Sequence, residues 1–107
     1  MSGSFQLSQN DKGQFSFVLV AGNGETILRS EMYESKDAVG RGIASVQTNS
    51  PLEERYLRLV GNDGRFYFNL KAANHQVIGT SQMYATAQGR DDGIESVKTH
   101  GPTTNAG

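Results

Sequence analysis

The feature that most constrains the fold of this chain is an internal duplication. Residues 5–51 align with residues 56–102 without a gap, at an offset of 51 positions. Sixteen of the 47 aligned pairs are identical, whereas ordinary composition gives about three by chance. The identical pairs are Gly13/Gly64, Phe15/Phe66, Phe17/Phe68, Leu19/Leu70, Ala21/Ala72, Asn23/Asn74, Ile27/Ile78, Ser30/Ser81, Met32/Met83, Tyr33/Tyr84, Gly42/Gly93, Ile43/Ile94, Ser45/Ser96, Val46/Val97, Thr48/Thr99 and Pro51/Pro102. Because solenoids and propellers need about three or more units to bury their faces, two copies favour a closed pair related by a pseudo-twofold axis.

Each copy begins with a pattern that predicts a three-stranded meander. Phenylalanine, leucine and alanine stand at every second position over residues 15–21, and the same residues recur over 66–72. This period of two is expected of a strand that buries one face. The predicted strands span residues 5–9, 14–20 and 25–31 in the first copy, and 56–60, 65–71 and 76–82 in the second.

Turn signals separate these strands. Asp11-Lys12-Gly13 and Asn62-Asp63-Gly64 precede the two aromatic strands, and their glycines accept the positive φ of a tight hairpin. Asn23-Gly24 predicts a type I′ turn after the first aromatic strand, and Asn74-His75 is its weaker equivalent.

The hydrophobic period then changes to that of a helix. Val39, Ile43 and Val46 fall on one helical face, and Ile94 and Val97 do the same in the second copy. The predicted helices span residues 35–48 and 86–99.

Residues at the helix ends and middles refine this prediction. Ser35 and Thr86 have side chains suited to accept hydrogen bonds from first-turn amides as N-caps. Gly42 and Gly93 each cost about 1 kcal/mol in helix propensity, so their repetition predicts a close approach between helix and sheet. A proline just past each helix prevents its continuation.

These patterns predict the α+β class: two tandem β-β-β-α repeats with pseudo-twofold symmetry, and an antiparallel sheet packed against two helices. We expect a single domain over residues 1–107, made of repeat 1 (5–51), repeat 2 (56–102) and a flexible tail (103–107). The predicted core consists of Phe15, Phe17, Leu19, Ile27, Ile43, Val46, Phe66, Phe68, Leu70, Ile78, Ile94 and Val97.

Composition limits the classes of function. The 107 residues are 36% hydrophobic and 20% charged, as in ordinary globular domains and unlike disordered chains. The formal net charge of -1 provides no strong field to attract nucleic acid or an anionic membrane. We expect a cytoplasmic protein, because the sequence has no secretory signal, no membrane-crossing apolar run and no cysteine.

Several longer motifs resemble the YegP-like family of small bacterial repeat proteins. They are Gly22-Asn23-Gly24-Glu25-Thr26-Ile27-Leu28, Ser-x-Met-Tyr at 30–33 and 81–84, Phe68-Asn69-Leu70-Lys71-Ala72-Ala73-Asn74, and Gly-Ile-x-Ser-Val at 42–46 and 93–97. The resemblance covers residues 5–102 and implies three strands, a helix and a further strand per copy, with both copies in one sheet. After the second helix, that further strand would have to form from the polar tail. The family has no established biochemical activity, so the resemblance leaves function open.

Catalytic and metal-binding groups are sparse. Nucleophilic catalysis needs a rigidly held base, but His75 occupies a turn and His100 begins the tail. The acidic pairs Glu53-Glu54 and Asp91-Asp92 are typical of solvated surfaces, and the usual zinc ligand spacings are missing. We therefore predict no catalytic residues, no metal site and no cofactor.

The repeated Ser-x-Met-Tyr corners are the first candidate binding site. Ser30, Tyr33, Ser81 and Tyr84 stand where each third strand leads into its helix. They suggest two equivalent sites or one shared groove, and in an alternative hypothesis they serve an enzyme acting on a small molecule. The competing structural interpretation is that Met and Tyr fill the corner while Ser bonds the backbone.

The sheet face opposite the aromatic stripe is the second candidate. Arg65, Tyr67 and Lys71 combine cations with an aromatic ring there, as surfaces that bind single-stranded nucleic acid do. A solvated antiparallel face is the structural alternative. Our leading functional prediction is a non-catalytic binding or protein-interaction module with a protein or peptide partner, reached by strand addition at an open sheet edge.

Overall fold

The elements of the structure follow the two repeats. The structure is a computed structural model that describes residues 3–105. The strands are β1 (Ser4–Gln9), β2 (Phe15–Val20), β3 (Thr26–Arg29), β4 (Tyr56–Val60), β5 (Phe66–Lys71) and β6 (Val77–Thr80). The helices are α1 (Lys36–Asn49) and α2 (Ala87–His100), and a short 3₁₀ helix, Glu53–Arg55, lies between α1 and β4. Over the described range, neither helix is long and apolar enough to cross a membrane.

All six strands form one antiparallel sheet in the order β1-β2-β3-β6-β5-β4. Repeat 1 forms one half and repeat 2 the other, so β3 and β6 meet at the centre, where Arg29 pairs with Thr80. Counted from either edge, the first, second and third strands of a repeat follow in the same order. A pseudo-twofold axis therefore lies between β3 and β6. The predicted α+β fold of two β-β-β-α units is confirmed.

Each helix crosses from its own repeat onto the other. Helix α1 packs on β2 and also on β5 and β6, while α2 packs on β5 and also on β2 and β3. Residues from both helices and both halves of the sheet form one apolar cluster. Both helices therefore cover the same face of the sheet, and the two repeats share a core that neither completes alone.

Nine of the twelve predicted core residues are buried. Phe15, Ile43 and Phe66 are only partly buried. Phe15 and Phe66 begin their strands at the end of the sheet, and the Arg90 guanidinium covers Phe66 at 5.3 Å from the ring centroid. Within residues 3–105, the prediction omitted six further buried apolar residues, which are Phe5, Val20, Ala21, Leu28, Val39 and Tyr56.

A bulge in β3 explains why Leu28 is buried. Leu19 pairs with Leu28, but Val20 pairs with Thr26, so Ile27 is an extra residue in β3. The bulge interrupts strict alternation, and the consecutive residues Ile27 and Leu28 are both buried. Repeat 2 has the same shift in β6, at Ile78.

The third strands are shorter than the predicted spans 25–31 and 76–82. They end at Arg29 and Thr80, because the hydroxyl of the next serine replaces a rung of the backbone ladder.

The predicted type I′ turn at Asn23-Gly24 is wrong. Of these two residues only Gly24 has positive φ, at 87°, whereas a type I′ turn needs it at both. The N–H of Gly24 donates to the carbonyl of Ala21, which defines a three-residue loop.

The predicted helix caps are confirmed. Ser35 accepts a hydrogen bond from the N–H of Ala38, and Thr86 accepts one from the N–H of Gly89. These side chains satisfy amides that have no partner within the helix.

The tail predicted at residues 103–107 is held by hydrogen bonds in its described part. The Thr103 hydroxyl donates to the Gly3 carbonyl at 2.9 Å, and the N–H of Phe5 donates to the Asn105 carbonyl at 2.9 Å. Residues 106 and 107 lie outside the described range. Helix α1 is followed by β4, but in residues 3–105 no strand follows α2. The further strand implied by the family resemblance is therefore replaced there by this single backbone contact to β1.

Candidate functional site

The corner serines complete the sheet. The Ser30 hydroxyl accepts from the N–H of Phe17 at 2.8 Å and donates to the Glu31 carbonyl at 2.8 Å. Ser81 makes the equivalent bonds with Phe68 and Gln82, at 3.0 and 2.7 Å. Each hydroxyl therefore has both a donor and an acceptor, which is the backbone role that the structural interpretation assigned to serine.

The corner tyrosines fix each corner to the sheet and to its helix. Tyr33 exchanges two backbone hydrogen bonds of 2.7 Å with Phe15, and its ring stacks on Phe17 at a centroid distance of 6.3 Å. Its hydroxyl lies over Gly42, where an added Cβ would be 2.7 Å from the Tyr33 Cζ. The predicted close approach at the helix glycine is thus confirmed, but the neighbour is a side chain and not the sheet backbone.

Tyr84 repeats the backbone pairing, with Phe66, and the contact of its hydroxyl with the helix glycine, Gly93. Its hydroxyl is buried and has no hydrogen-bond partner among residues 3–105. Burial raises the pKa of both corner tyrosines. The Glu31 carboxylate raises the pKa of Tyr33 further, whereas at Tyr84 the nearby Gln82 side chain partly offsets the effect of burial and the Glu25 carboxylate adds to it. Both phenols are consequently protonated at neutral pH, which is unsuited to a general base.

The structural interpretation proposed that the methionines fill the corners, and this is wrong. Met32 and Met83 are 55% and 38% exposed. Each immediately precedes a corner tyrosine, whose ring points into the core side of the corner. Methionine therefore takes the opposite, outward direction in this extended segment.

Two surface clefts related by the pseudo-twofold axis lie beside the tyrosines. We name them the Asp92 cleft and the Arg41 cleft, after two residues at equivalent helix positions. The Asp92 cleft is lined by Ala21, Asn23, Glu25, Ile27, Tyr84, Gly89, Asp92, Gly93 and Ser96. The Arg41 cleft is lined by Glu31, Tyr33, Ala38, Arg41, Gly42, Ser45, Ala72, Asn74, Gln76, Val77 and Ile78. Each cleft takes one wall from each repeat, so it exists only when the repeats are joined.

The repeated identities concentrate in these clefts. The identical pairs are Ala21/Ala72, Asn23/Asn74, Ile27/Ile78, Tyr33/Tyr84, Gly42/Gly93 and Ser45/Ser96. The charged positions differ, since Arg41 is equivalent to Asp92 and Gln76 to Glu25. The tyrosines predicted as site residues therefore lie in two separate clefts, and the predicted serines Ser30 and Ser81 line neither.

The face opposite the helices carries the second predicted set of residues. Tyr67 and Lys71 lie on β5, but Arg65 precedes the strand and forms an ion pair with Asp63 at 2.8 Å. Leu59 pairs with Tyr67, which places an apolar side chain beside the tyrosine ring. The structure thus brings Tyr67 and Lys71 onto one face and ties Arg65 to the preceding turn.

The two edges of the sheet differ in charge. Edge strand β4 carries Arg58, which forms ion pairs with Glu53 at 2.7 Å and with Asp91 at 3.1 Å. Edge strand β1 has no charged residue, and at the equivalent position it carries Leu7, which is 40% exposed. A groove of about 550 Å³ beside β1 is lined by Ser4, Phe5, Gln6, Leu7 and Asn105.

The histidines occupy separate positions. His75 is in the β5–β6 turn with a φ of 70°, the left-handed region in which its equivalent Gly24 also lies. His100 is the last residue of α2. In the described part of the chain, no group of three or more acidic or histidine side chains is arranged to hold a metal ion.

Comparison with known proteins identifies the family. Residues 10–56 and 62–106 match the model described as Domain of unknown function (DUF1508). The chain belongs to the DUF1508 family. The two consecutive matches agree with two β-β-β-α units, and the resemblance to YegP-like proteins is confirmed. The UPF0339 protein YegP of Escherichia coli strain K12 is 63% identical to this DUF1508 chain over 101 residues, which are 94% of the chain and 92% of YegP.

Two solved structures share the fold of this DUF1508 chain. The solution NMR structure of a UPF0339 protein from Shewanella oneidensis has a TM-score of 0.93 and 57% identity, and the match covers 99% of this chain and 90% of that one. The solution NMR structure of yegP from E. coli, described as a protein of unknown function, has a TM-score of 0.93 and 60% identity, with coverages of 99% and 91%.

The sequence reasoning did not single out Leu7 or Arg41. Leu7 belongs to an alternating strand, and alternation does not reveal which strand becomes an edge. Arg41 resembles a solvated charge on a helix. The available signal was its equivalence to Asp92, which reverses the charge between two otherwise similar segments.

Proposed function

We propose that this protein is a non-catalytic interaction module that binds an extended segment of a partner protein as an additional strand on β1. The observation that carries the proposal is the uncharged edge of β1, compared with the charged edge of β4. Soluble proteins protect exposed edges with charge, proline or bulges, because an unpaired edge is a template for another strand. Apart from the tail contact at Phe5, the edge of β1 lacks these devices and is suited to a partner.

The backbone of β1 supplies the hydrogen-bonding groups. The N–H of Asn10 donates to the Gln14 carbonyl at 2.9 Å. Because paired and unpaired residues alternate along an antiparallel ladder, the backbone N–H and carbonyl groups of Leu7 and Gln9 point away from β2. The hydrogen bond from the N–H of Phe5 to the Asn105 carbonyl agrees with this alternation, because the backbone groups of Phe5 also point away from β2. In residues 3–105, the N–H and carbonyl groups of Leu7 have no backbone partner.

The side chains of β1 indicate the chemistry of the partner. Exposed Leu7 stands among Ser, Gln and Phe residues, with the groove beside it. An uncharged segment with apolar residues at alternate positions can form the ladder and cover Leu7 without losing a solvated charge.

A titration followed by amide NMR tests this proposal. The probe is a soluble peptide, Lys-Thr-Val-Thr-Val-Thr-Lys, in which the terminal lysines provide solubility. We expect shift changes and slower amide exchange at Leu7 and Gln9, with no change at Arg58 and Val60. The substitution Leu7→Arg should abolish binding, and Leu57→Arg on the other edge should preserve it.

Three results would overturn the proposal. The first is a peptide response that is equal at both edges or insensitive to Leu7→Arg. The second is a concentration-dependent dimer in analytical ultracentrifugation that Leu7→Arg dissociates, because the occupant of β1 would then be a second copy of this chain. The third is a spectrum unchanged by peptide at millimolar concentration.

A further inference from the structure

The Arg41 cleft and the Asp92 cleft have different rims. In the Asp92 cleft, the Gln82 side-chain amide donates to the Glu25 carboxylate at 2.8 Å and links the two repeats across the opening. The equivalent residues at the Arg41 cleft are Glu31 and Gln76, and the described side chains form no such link there. The Arg41 cleft is also larger, about 320 Å³ against about 150 Å³.

The Arg41 cleft combines both signs of charge with an apolar wall. Arg41 is exposed and belongs to none of the ion pairs found within residues 3–105. Glu31 lines the same cleft, and the wall between the repeats includes Tyr33, Val77 and Ile78. Guanidinium groups bind carboxylates through two parallel hydrogen bonds, and a carboxylate binds an ammonium group.

We propose that the Arg41 cleft binds a small zwitterion of the α-amino acid type. Arg41 holds its carboxylate, Glu31 holds its ammonium group, and an apolar side chain packs on Tyr33 and Ile78. The volume is at the lower end of the range for small-molecule pockets. The Asp92 cleft has two acidic side chains, Glu25 and Asp92, and no cation, so it lacks the partner for a carboxylate. This site is independent of strand addition at β1.

An NMR titration with three related probes tests the assignment of the two charged groups. L-Leucine carries both charges, L-leucinamide lacks the carboxylate, and N-acetyl-L-leucine lacks the ammonium group. We expect leucine to shift the amides of Gly42, Ser45 and Gln76, and both analogues to bind at least about tenfold more weakly. Amides around Gly93 and Ser96 should not respond.

Matched variants separate this site from its equivalent. Arg41→Gln should weaken leucine binding by about tenfold or more, while Asp92→Asn, at the equivalent helix position, should leave it unchanged. The dispersion of each variant's spectrum reports whether it is folded. The proposal is overturned if leucine causes no shifts up to about 20 mM, if the three probes bind equally, or if Arg41→Gln titrates like the unsubstituted protein.

Discussion

Individual residues show how a repeated identity becomes a repeated contact. Tyr33 and Gly42 are 9 residues apart in repeat 1, as Tyr84 and Gly93 are in repeat 2. In each pair the phenol occupies the space that a β-carbon on the glycine would need. The glycines therefore lower the helix propensity, but they leave space for the tyrosine rings to pack at the corners. The same corner supplies one wall of each cleft.

Alanine substitutions at two helix glycines test this contact. Gly93→Ala should lower the free energy of unfolding by about 1 to 3 kcal/mol, because the new methyl group overlaps Tyr84. Gly40→Ala is the matched control, since Gly40 lies in α1 with nothing within 4 Å of an added Cβ. It should raise the free energy of unfolding by about 0.5 to 1 kcal/mol. Urea unfolding measures both values, and a loss of stability in Gly40→Ala equal to that in Gly93→Ala would refute the explanation.

The sequence could predict these residues only in part. The repetition of Gly42 and Gly93 indicated a close approach, because both copies carry a residue that costs about 1 kcal/mol in a helix interior. It did not indicate that the approaching group is a tyrosine from the preceding corner. That contact depends on how far the chain bends between strand and helix, which no local propensity determines.

At the scale of elements, the segment between the repeats is joined to repeat 2 by charge. Glu53 in the 3₁₀ helix accepts hydrogen bonds from Arg58 of β4 and Lys98 of α2. These hydrogen bonds lower the pKa of Glu53 from 4.5 to about 2. The Tyr56 hydroxyl adds a buried bond of 2.6 Å to the carbonyl of Ser50 at the end of α1. The linker is therefore part of the folded unit.

The lowered pKa of Glu53 predicts an acid-dependent loss of stability. The unfolded chain protonates Glu53 near its ordinary pKa of 4.5, but the folded chain does so only near 2. The contribution is therefore complete above pH 4.5 and is lost as the pH falls to about 2. Because the group is exposed, the effect should stay within about 1 kcal/mol.

Urea unfolding of Glu53→Gln between pH 2 and pH 6 measures this contribution. The variant should be slightly less stable than the unsubstituted protein at pH 6, and the difference should vanish near pH 2. Glu54→Gln is the control, because Glu54 forms no ion pair within the described residues. A difference for Glu53→Gln that does not change with pH would show that the ion pairs contribute nothing.

Element types and order were predictable from the sequence, whereas several contacts were not. Alternation predicted the strands, and Ser35 and Thr86 marked the helix starts. The predicted core included Ile27 but omitted Leu28, and the bulge buries both. The docking of the tail through Thr103 was missed as well, since polar backbone contacts leave no hydrophobic pattern.

At the scale of the whole molecule, the pseudo-twofold axis brings equivalent positions into contact. Leu28 and Gly79 are equivalent, and a Cβ on Gly79 would lie 2.7 Å from the Leu28 Cγ. Ser50 and Gly101 are also equivalent, and their side-chain positions overlap in the same way at the helix ends. In both pairs a glycine in repeat 2 accommodates a larger residue in repeat 1. At these two positions the sequences of the repeats have diverged, so that the side chain of one repeat fits beside the glycine of the other.

A double-mutant cycle measures this fit. Gly79→Ala should destabilise the protein by about 1 to 3 kcal/mol, and Leu28→Ala by about 2 to 5 kcal/mol. Together they should cost less than the sum by about 1 kcal/mol or more, because the shortened side chain leaves room for the added methyl group. Gly79→Ala combined with Gly40→Ala should be additive. Additivity in the first pair as well would contradict the proposed contact.

The shared core is the central claim, because both clefts and the order of the sheet depend on it. Native-state amide hydrogen exchange in β2 and β5, followed with increasing urea, tests it most directly. We predict that the slowest amides of both strands open with the same free energy and the same dependence on urea, in one global unfolding step. If the amides of one repeat opened at a free energy lower by about 2 kcal/mol or more, with their own urea dependence, the repeats would be independent units and the account would be wrong.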